Sequence, residues 1–492
     1  MTDVVRTVAK DGSKVEFIYK DPAQGAIKDV YFAPDKSYVV AFFRKPLDPA
    51  GRERVEKIVG QYRSSIFDQA GGEYWKDIFC WPEKIVEYDG KTGIVVPAYR
   101  KEFFFGAGAL SGAEKEGKWF ASAKNFNRFV PPEEKGSFTN FLHICLLLSR
   151  GVRRLHAAGL AHSDLSYKNC LIDPKGGNAC IIDVDGLVVP GLFPPDVLGT
   201  PDFIAPEVVM TADESDPKKR VTPSRATDLH ALAVLIYLYM LHRHPLRGRK
   251  VHSQDNDVQE KMEMGEKALF IENPGDTSNR PKIGQNDTAY MPWIDVAKLP
   301  YAICGPYLKE LFDKAFIDGL HDPSKRPSAD DWEDALIKTS DLIQPCENPG
   351  CVKKWFVYNN KKSPVCPYCG TRYTKPMPLF DFYISNNGDS YRPENRRMMI
   401  FSGQSLYKWH VDRLVTPNEK ISPADTKRLG YFSFYKGRWM LVNEGMPDLE
   451  ALNGDTPGPV AIGKGIVLKS GLQLKLSSAR TGRLVNVQMV NG

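Results

Sequence analysis

The sequence is short of what would tie it to a membrane or to an extracellular disulfide scaffold. Its longest apolar run, Ala231 to Leu241, is about half the ~20 residues a membrane span requires. The opening residues, MTDVVRTVAKDG, contain no apolar core of the kind a secretory signal carries. Cysteine is sparse and odd in number, nine in 492 residues, with four crowded into 346–369, which argues against a disulfide framework. Excess charge is small as well. Sixty-six Lys+Arg against 60 Asp+Glu gives +6, and such a total neither requires nor excludes nucleic acid, because a footprint is a local patch. Repeats and low-complexity tracts are absent. A cytoplasmic, multidomain protein is the expectation.

What is present is ordinary globular composition, 42% hydrophobic and 26% charged, in a chain long enough for two or three cores. Lys14–Tyr19 and Ser37–Phe43 are β-rich, and Ile85–Tyr88 with Gly93–Tyr99 predicts a hairpin about Asp89-Gly90. Arg52–Phe67 has helical composition. Phe141–Ala158 predicts an apolar helix ended by Gly159, and Leu229–Leu241, apolar on nearly every face, predicts a buried one. Residues 247–291 read as a polar loop or helical insert. Beyond Lys375 the chain turns to short β segments with Gly and Asn turns.

Residues 155–173, LHAAGLAHSDLSYKNCLID, carry the chemistry. Asp164 is followed five residues later by Asn169, and the apolar run ACII then delivers Asp183-Val184-Asp185-Gly186. Transfer of a γ-phosphoryl group needs a carboxylate to take the hydroxyl proton, oxygen ligands for Mg²⁺ and cations for the phosphates. Here the chain closely resembles the eukaryotic-type (Hanks-type) protein kinases, whose catalytic loop reads H-R-D-L-x-x-x-N. The resemblance continues through GTPDFIAPEVV at 199–209, Asp228, HPLRG at 244–248 and DPSKRPSADDW at 322–332. It implies a bilobal α+β kinase fold, with the N-lobe in 1–100 and the C-lobe in 101–344. It also implies an ion pair between Glu207 and Arg326.

The resemblance implies the following roles. Asp164 is the catalytic base, Asn169 and Asp183 hold Mg²⁺, and Lys168 contacts the γ-phosphate; Asp185 is the alternative to Asp183. Ser163 replaces the Arg of H-R-D, which argues against strict switching by loop phosphorylation. DPAQGAIKDVYFA at 21–33 resembles a glycine-rich phosphate lid with one glycine left, Gly25, and with Lys28 at an outer position as a possible added cation. YVVAFFRK resembles the family's third strand, whose alanine and nucleotide lysine share a face; strand alternation puts Ala41, Phe43 and Lys45 on one face, so the resemblance makes Lys45 the expected nucleotide lysine and Arg44 its competitor. Its partner is expected at Glu56, with Glu53 second. Pro97 and Tyr99 are the expected hinge beside adenine. The predicted activity is transfer from ATP to Ser/Thr hydroxyls of a protein substrate; the alternative is a non-catalytic pseudokinase scaffold.

Cys346-x₄-Cys351 and Cys366-x₂-Cys369, joined by fourteen residues, have the spacing of two knuckles around a tetrahedral Zn²⁺. A four-cysteine zinc ribbon over 345–375 is therefore expected, with Trp355, Phe356 and Tyr358 covering the site; nucleic acid is not the expected partner. Residues 376–492 alternate like an all-β sandwich. YFSFYKGRWMLVNEG and the run IVLKSGLQLKL resemble forkhead-associated (FHA) domains, although phosphate-contacting elements are not evident, so a degenerate FHA-like domain is expected. A kinase followed by such a ribbon is similar to bacterial kinases of tellurite-resistance-type phosphorylation systems. That resemblance implies a PP2C-type phosphatase and a von Willebrand A-type protein as partners.

Overall fold

A computed structural model describes residues 4–25, 27–189, 192, 199–361, 363–386 and 390–491. The chain forms two compact units. One comprises Met1–Gly136, Asn140–Tyr301 and Glu310–Glu333; the other comprises Ser137–Thr139, Ala302–Lys309 and Asp334–Gly492.

The first unit begins with a hairpin, β1 (Val4–Val8) and β2 (Lys14–Ile18). An antiparallel sheet follows, built from β3 (Ala23–Gln24), β4 (Lys28–Phe32), β5 (Tyr38–Phe43), β6 (Lys84–Tyr88) and β7 (Lys91–Pro97) in the order β3-β4-β5-β7-β6. Strand β5 is central and buried on both faces, which explains its run of six apolar and aromatic residues. Val40 and Phe42 pack with Phe17, Val86 and Val95; Ala41 and Phe43 pack on the other side with Val55, Ile85 and Ile94. The β6–β7 hairpin turns at Asp89 (φ 50°) and Gly90 (φ 69°), as the Asp-Gly pair predicted. The helical stretch runs from α1 (Pro49–Lys57) through a wider turn to Phe67; Asp48 caps it by accepting from the Gly51 amide at 2.7 Å.

The rest of this unit is mostly helical. Helix α2 (Phe138–Ala157) ends at Gly159, whose φ of 80° supplies the left-handed exit. A short ribbon, β8 (Cys170–Asp173) with β9 (Asn178–Ile181), follows the loop that carries Asp164 and Asn169. Helix α3 (Arg225–Leu241) is buried along almost its whole length. The polar insert carries one helix, α4 (Asn256–Met264), among short turns. Arg326 makes a two-pronged ion pair with Glu207, both contacts 2.7 Å.

The second unit contains a small hairpin, β10 (Ile343–Pro345) with β11 (Trp355–Val357), beside the cysteines. It also contains two sheets. Six strands run in the order β13 (Tyr391–Met399), β12 (Met377–Ser385), β21 (Arg483–Val490), β20 (Gln473–Lys475), β17 (Glu450–Ala451), β18 (Gly458–Pro459). Four run β14 (Ser405–Tyr407), β15 (Arg428–Tyr435), β16 (Arg438–Asn443), β19 (Gly465–Val467). Phe380, Phe382, Val485 and Val487 from one sheet and Leu406, Phe432, Leu441 and Ile466 from the other share one core, which makes the pair a sandwich.

Candidate active site

The loop between α2 and β8 is fixed by its backbone. Asp228, buried in the first turn of α3, accepts from the amides of His162 (2.7 Å) and Ser163 (3.2 Å), and its Oδ2 lies 3.1 Å from His156 Nε2. Ser163 takes a φ of 67°, a conformation those bonds hold in place. His162 Nε2 lies 3.0 Å from the carbonyl of Ile182, so the ring donates there and joins the loop to the segment after β9.

Asp164 stands at the centre. Thr200 donates to its Oδ1 through its amide at 2.7 Å and its hydroxyl at 2.8 Å. Asn169 Nδ2 donates to its Oδ2 at 3.0 Å and to its carbonyl at 2.8 Å. The carboxylate is thus aimed by two neighbours while retaining acceptor capacity for an incoming hydroxyl. Using its amide nitrogen this way leaves Asn169 its side-chain oxygen as a ligand atom. Thr200 was quoted in the sequence only as part of a motif; its role needs the fold, which returns residue 200 to residue 164.

Facing this loop is an ion cluster. The Lys28 ammonium on β4 lies 2.6 and 2.7 Å from the two carboxylate oxygens of Asp185 and 3.2 Å from Asp183. Asp183 adopts the left-handed conformation (φ 59°, ψ 39°) and starts a tight turn, Val184–Gly186. Its side chain stays 54% exposed, whereas that of Asp185 is 11% exposed. Burial would lower the Lys28 pKa, but Asp185 and Asp183 outweigh it and the net shift is upward. For Asp183 burial pushes up, and Lys28 with His162 more than offsets it, so its carboxyl lies below the usual range.

Lys45 is not in this cluster. Strand β5 ends at Phe43, so the face that carries Ala41 presents an aromatic ring there, and Lys45 lies exposed just before Pro46 with no ion pair among the described residues. The register sets Lys28 opposite Phe43, and the Lys28 ammonium sits 5.6 Å from that ring centre. Its competitor Arg44 pairs with Asp29 at 2.8 Å. Glu56 is likewise turned away, pairing with Lys10 at 2.7 Å in an exposed bridge, and Glu53 pairs with Lys57 one turn on. Gly25 sits in the β3–β4 turn, its amide donating to the carbonyl of Lys28 at 3.0 Å. Pro97 and Tyr99 line a cavity of about 260 Å³ with Cys80, Phe103 and Cys180. Burial pushes the Tyr99 phenol well up. Lys168 is exposed and faces a different cavity, described below.

In the second unit, the sulfurs of Cys346, Cys351, Cys366 and Cys369 all lie within 4.8 Å of one another. The Cys346–Cys369 and Cys351–Cys366 separations, 3.4 and 3.8 Å, are far beyond a disulfide bond of ~2.05 Å. They match the spacing of thiolates around one tetrahedral ion at ~2.3 Å.

Residues 120–335 match the family model for the protein kinase domain. Among relatives, it is 32% identical over 149 residues to human Serine/threonine-protein kinase H1, covering 26% of this chain and 32% of that protein. It is 32% identical over 100 residues to the Death-associated protein kinase dapk-1 of Caenorhabditis elegans, covering 20% of this chain and 6% of that one. It is 28% identical over 138 residues to Serine/threonine-protein kinase PknD of Chlamydia felis, 24% and 14% of the respective chains. The chain thus spans a third or less of these relatives. No helix among the described residues is long and apolar enough to cross a membrane.

Proposed function

We propose that the protein is an ATP-dependent Ser/Thr protein kinase acting on a partner protein and on itself. The observation that carries this is the carboxylate of Asp164, oriented by Thr200 and Asn169 on the loop that faces the Lys28–Asp183–Asp185 cluster. Asp164 takes the proton from the substrate hydroxyl as it attacks the γ-phosphorus. The oxygens of Asp183 and Asn169 would hold Mg²⁺, which supplies positive charge against the phosphates. The open side chain of Asp183 suits a ligand, while buried Asp185 suits an anchor for Lys28. Lys28, in place of Lys45, is the cation that phosphates meet from the sheet side, with Gly25 in the lid above them. Pro97 and Tyr99 serve the adenine end.

The exposed Glu56–Lys10 bridge favours the scaffold reading, since α1 offers Lys28 neither Glu53 nor Glu56. One assay separates the two. The full chain is incubated with Mg²⁺ and γ-labelled ATP, with and without a Ser/Thr acceptor protein. Labelling above an Asp164→Ala control is expected; its absence means a scaffold.

The four cysteines are proposed as a closed structural Zn²⁺ site, supported by the sulfur spacing. The sandwich is proposed as FHA-like, supported by its six- and four-stranded sheets. A cytoplasmic setting rests on composition and cysteine usage, and the division of the chain at 100, 344 and 375 on its motifs and composition shifts; partnership with a PP2C-type phosphatase and a von Willebrand A-type protein rests on the resemblance in sequence.

A further inference from the structure

Beside the catalytic loop, within the first unit, is a cavity of about 620 Å³. That volume falls in the ~300–1,000 Å³ range of ligand clefts. Its wall comes from residues 118–125, from Tyr167 and Lys168, from Asp202, from the turn after α3 and from the polar insert. Six of its lining residues are Lys or Arg, and only Asp202 and Asp287 are acidic.

Three of the cations are already matched. Arg243 is buried against Glu272 at 2.5 Å, Arg247 holds Asp202 and also Glu263 at 3.0 Å, and Lys118 meets Glu116 at 2.8 Å. The acidic residues are engaged too. Asp202 also accepts from Tyr167 at 3.3 Å, and Asp287 caps the turn at Gly284 at 2.6 Å. Lys168, Arg249 and Lys282 are exposed and have no ion pair among the described residues. Arg249 Nε donates to the carbonyl of Ser278 at 2.9 Å, which steadies the guanidinium and leaves its outer N–H groups open.

We infer that this cavity receives anionic side chains of the substrate polypeptide, so that the kinase selects acceptors set among acidic or phosphorylated residues. The inference rests on the proposed kinase activity for its purpose. Unmatched charge of one sign in a concave, partly walled site focuses the field on a ligand of the other sign. Position selects the class of ligand. Lys168 lies four residues after Asp164, and Asp202 two after Thr200, so whatever fills the cavity lies next to the hydroxyl that Asp164 deprotonates. A polypeptide carrying that hydroxyl is the ligand both requirements share.

The test uses the full chain and fluorescein-labelled peptides with a single Ser acceptor, flanked by Glu, by phosphoserine, by neutral residues or by Arg. Binding is followed by fluorescence anisotropy across a salt series. The Glu and phosphoserine peptides should bind at least about tenfold more tightly than the Arg peptide, with the gap closing as salt rises. Whichever of the two binds better identifies the source of the negative charge. The triple variant Lys168→Glu/Arg249→Glu/Lys282→Glu should reverse the order; the double variant Arg249→Glu/Lys282→Glu, at two exposed positions, should weaken it if the triple fails to fold. Binding indifferent to peptide charge, a preference for Arg, a preference untouched by either variant, or tighter binding of single-stranded RNA overturns the inference. Labelling with γ-labelled ATP keeps the two readings apart. Peptides labelled regardless of flanking charge leave the kinase activity standing and remove this inference. Acidic peptides bound but never labelled above Asp164→Ala do the reverse.

Discussion

The catalytic loop and the small sheet meet at one set of carboxylates, yet they reach it by different physics. In the loop, Asp164 and Asn169 stand where they do because backbone groups are held: the amides of His162 and Ser163 by Asp228, Asp164 by the amide and hydroxyl of Thr200. Each such bond fixes a position along the chain, so spacing is rigid and a motif survives residue by residue. In the sheet only a charge has to arrive. A lysine is a long flexible stem, and neighbouring strands lie ~4.8 Å apart, so a site can be served from the adjacent strand as well as from its own. Phe43 fills the slot on β5, and Lys28, opposite it on β4, is the proposed source of the charge. A position held through backbone bonds resists migration along the sequence. A function met by side-chain reach does not.

Breaking the loop should have the largest consequence. Asp164→Ala is expected to lower kcat by about 10²–10⁴, read as labelled-phosphate transfer at saturating ATP. The sheet should tolerate relocation of its charge where the loop does not. The double variant Lys28→Ala/Phe43→Lys should recover part of the activity that Lys28→Ala loses, whereas moving the Asp164 carboxylate to residue 163 or 165 should recover none. Steady-state rates across these variants check both.

The second unit offers an interior counterpart. Asp341 is buried with Arg396 (2.7 Å) and His410 (3.1 Å), and removing it strands both partners. Asp341→Ala should cost about 3–5 kcal/mol in chemical denaturation followed at the sandwich tryptophans. The pH sign follows from the same triad. Burial pushes the Asp341 carboxyl up, but Arg396 and His410 outweigh it, so it lies below 3.8; its stabilisation is present above that value and lost as pH falls through the lower folded one. Burial likewise lowers His410 below 6.5, outweighing Asp341, so acid also favours the unfolded chain from about that pH downward. Wild type should therefore lose stability in acid, with a weaker dependence in Asp341→Ala. The smallest effect belongs to Glu56→Gln. Its exposed bridge to Lys10 is worth about 0–1 kcal/mol, and kcat/KM for ATP should stay within about twofold.

These contrasts explain what could be read in advance. The loop from His162 to Asn169, the Glu207–Arg326 pair, the buried helix expected over 229–241 and the cysteine knuckles are legible because local spacing carries them. The β-rich character of the C-terminal region is legible from alternation. Its strand order is not, because β12 pairs with β21 across a hundred residues and period alone does not say which strand a strand meets. Lys45 misleads for a related reason. Alternation puts it on the face of Ala41, but the strand stops at Phe43 and only the β4–β5 register reveals Lys28 as the cation in reach. Glu56 misleads because helical composition gives no azimuth, and the helix turns that carboxylate toward Lys10.

The relocated cation is tested most directly by kcat/KM for ATP in Lys28→Ala and Lys45→Ala, measured side by side with the same acceptor. Lys28→Ala should lose about 10²–10³, as removal of a preorganised charge at developing phosphate charge does, and Lys45→Ala should stay within about twofold of wild type. Equal losses, or a larger loss in Lys45→Ala, would contradict the assignment.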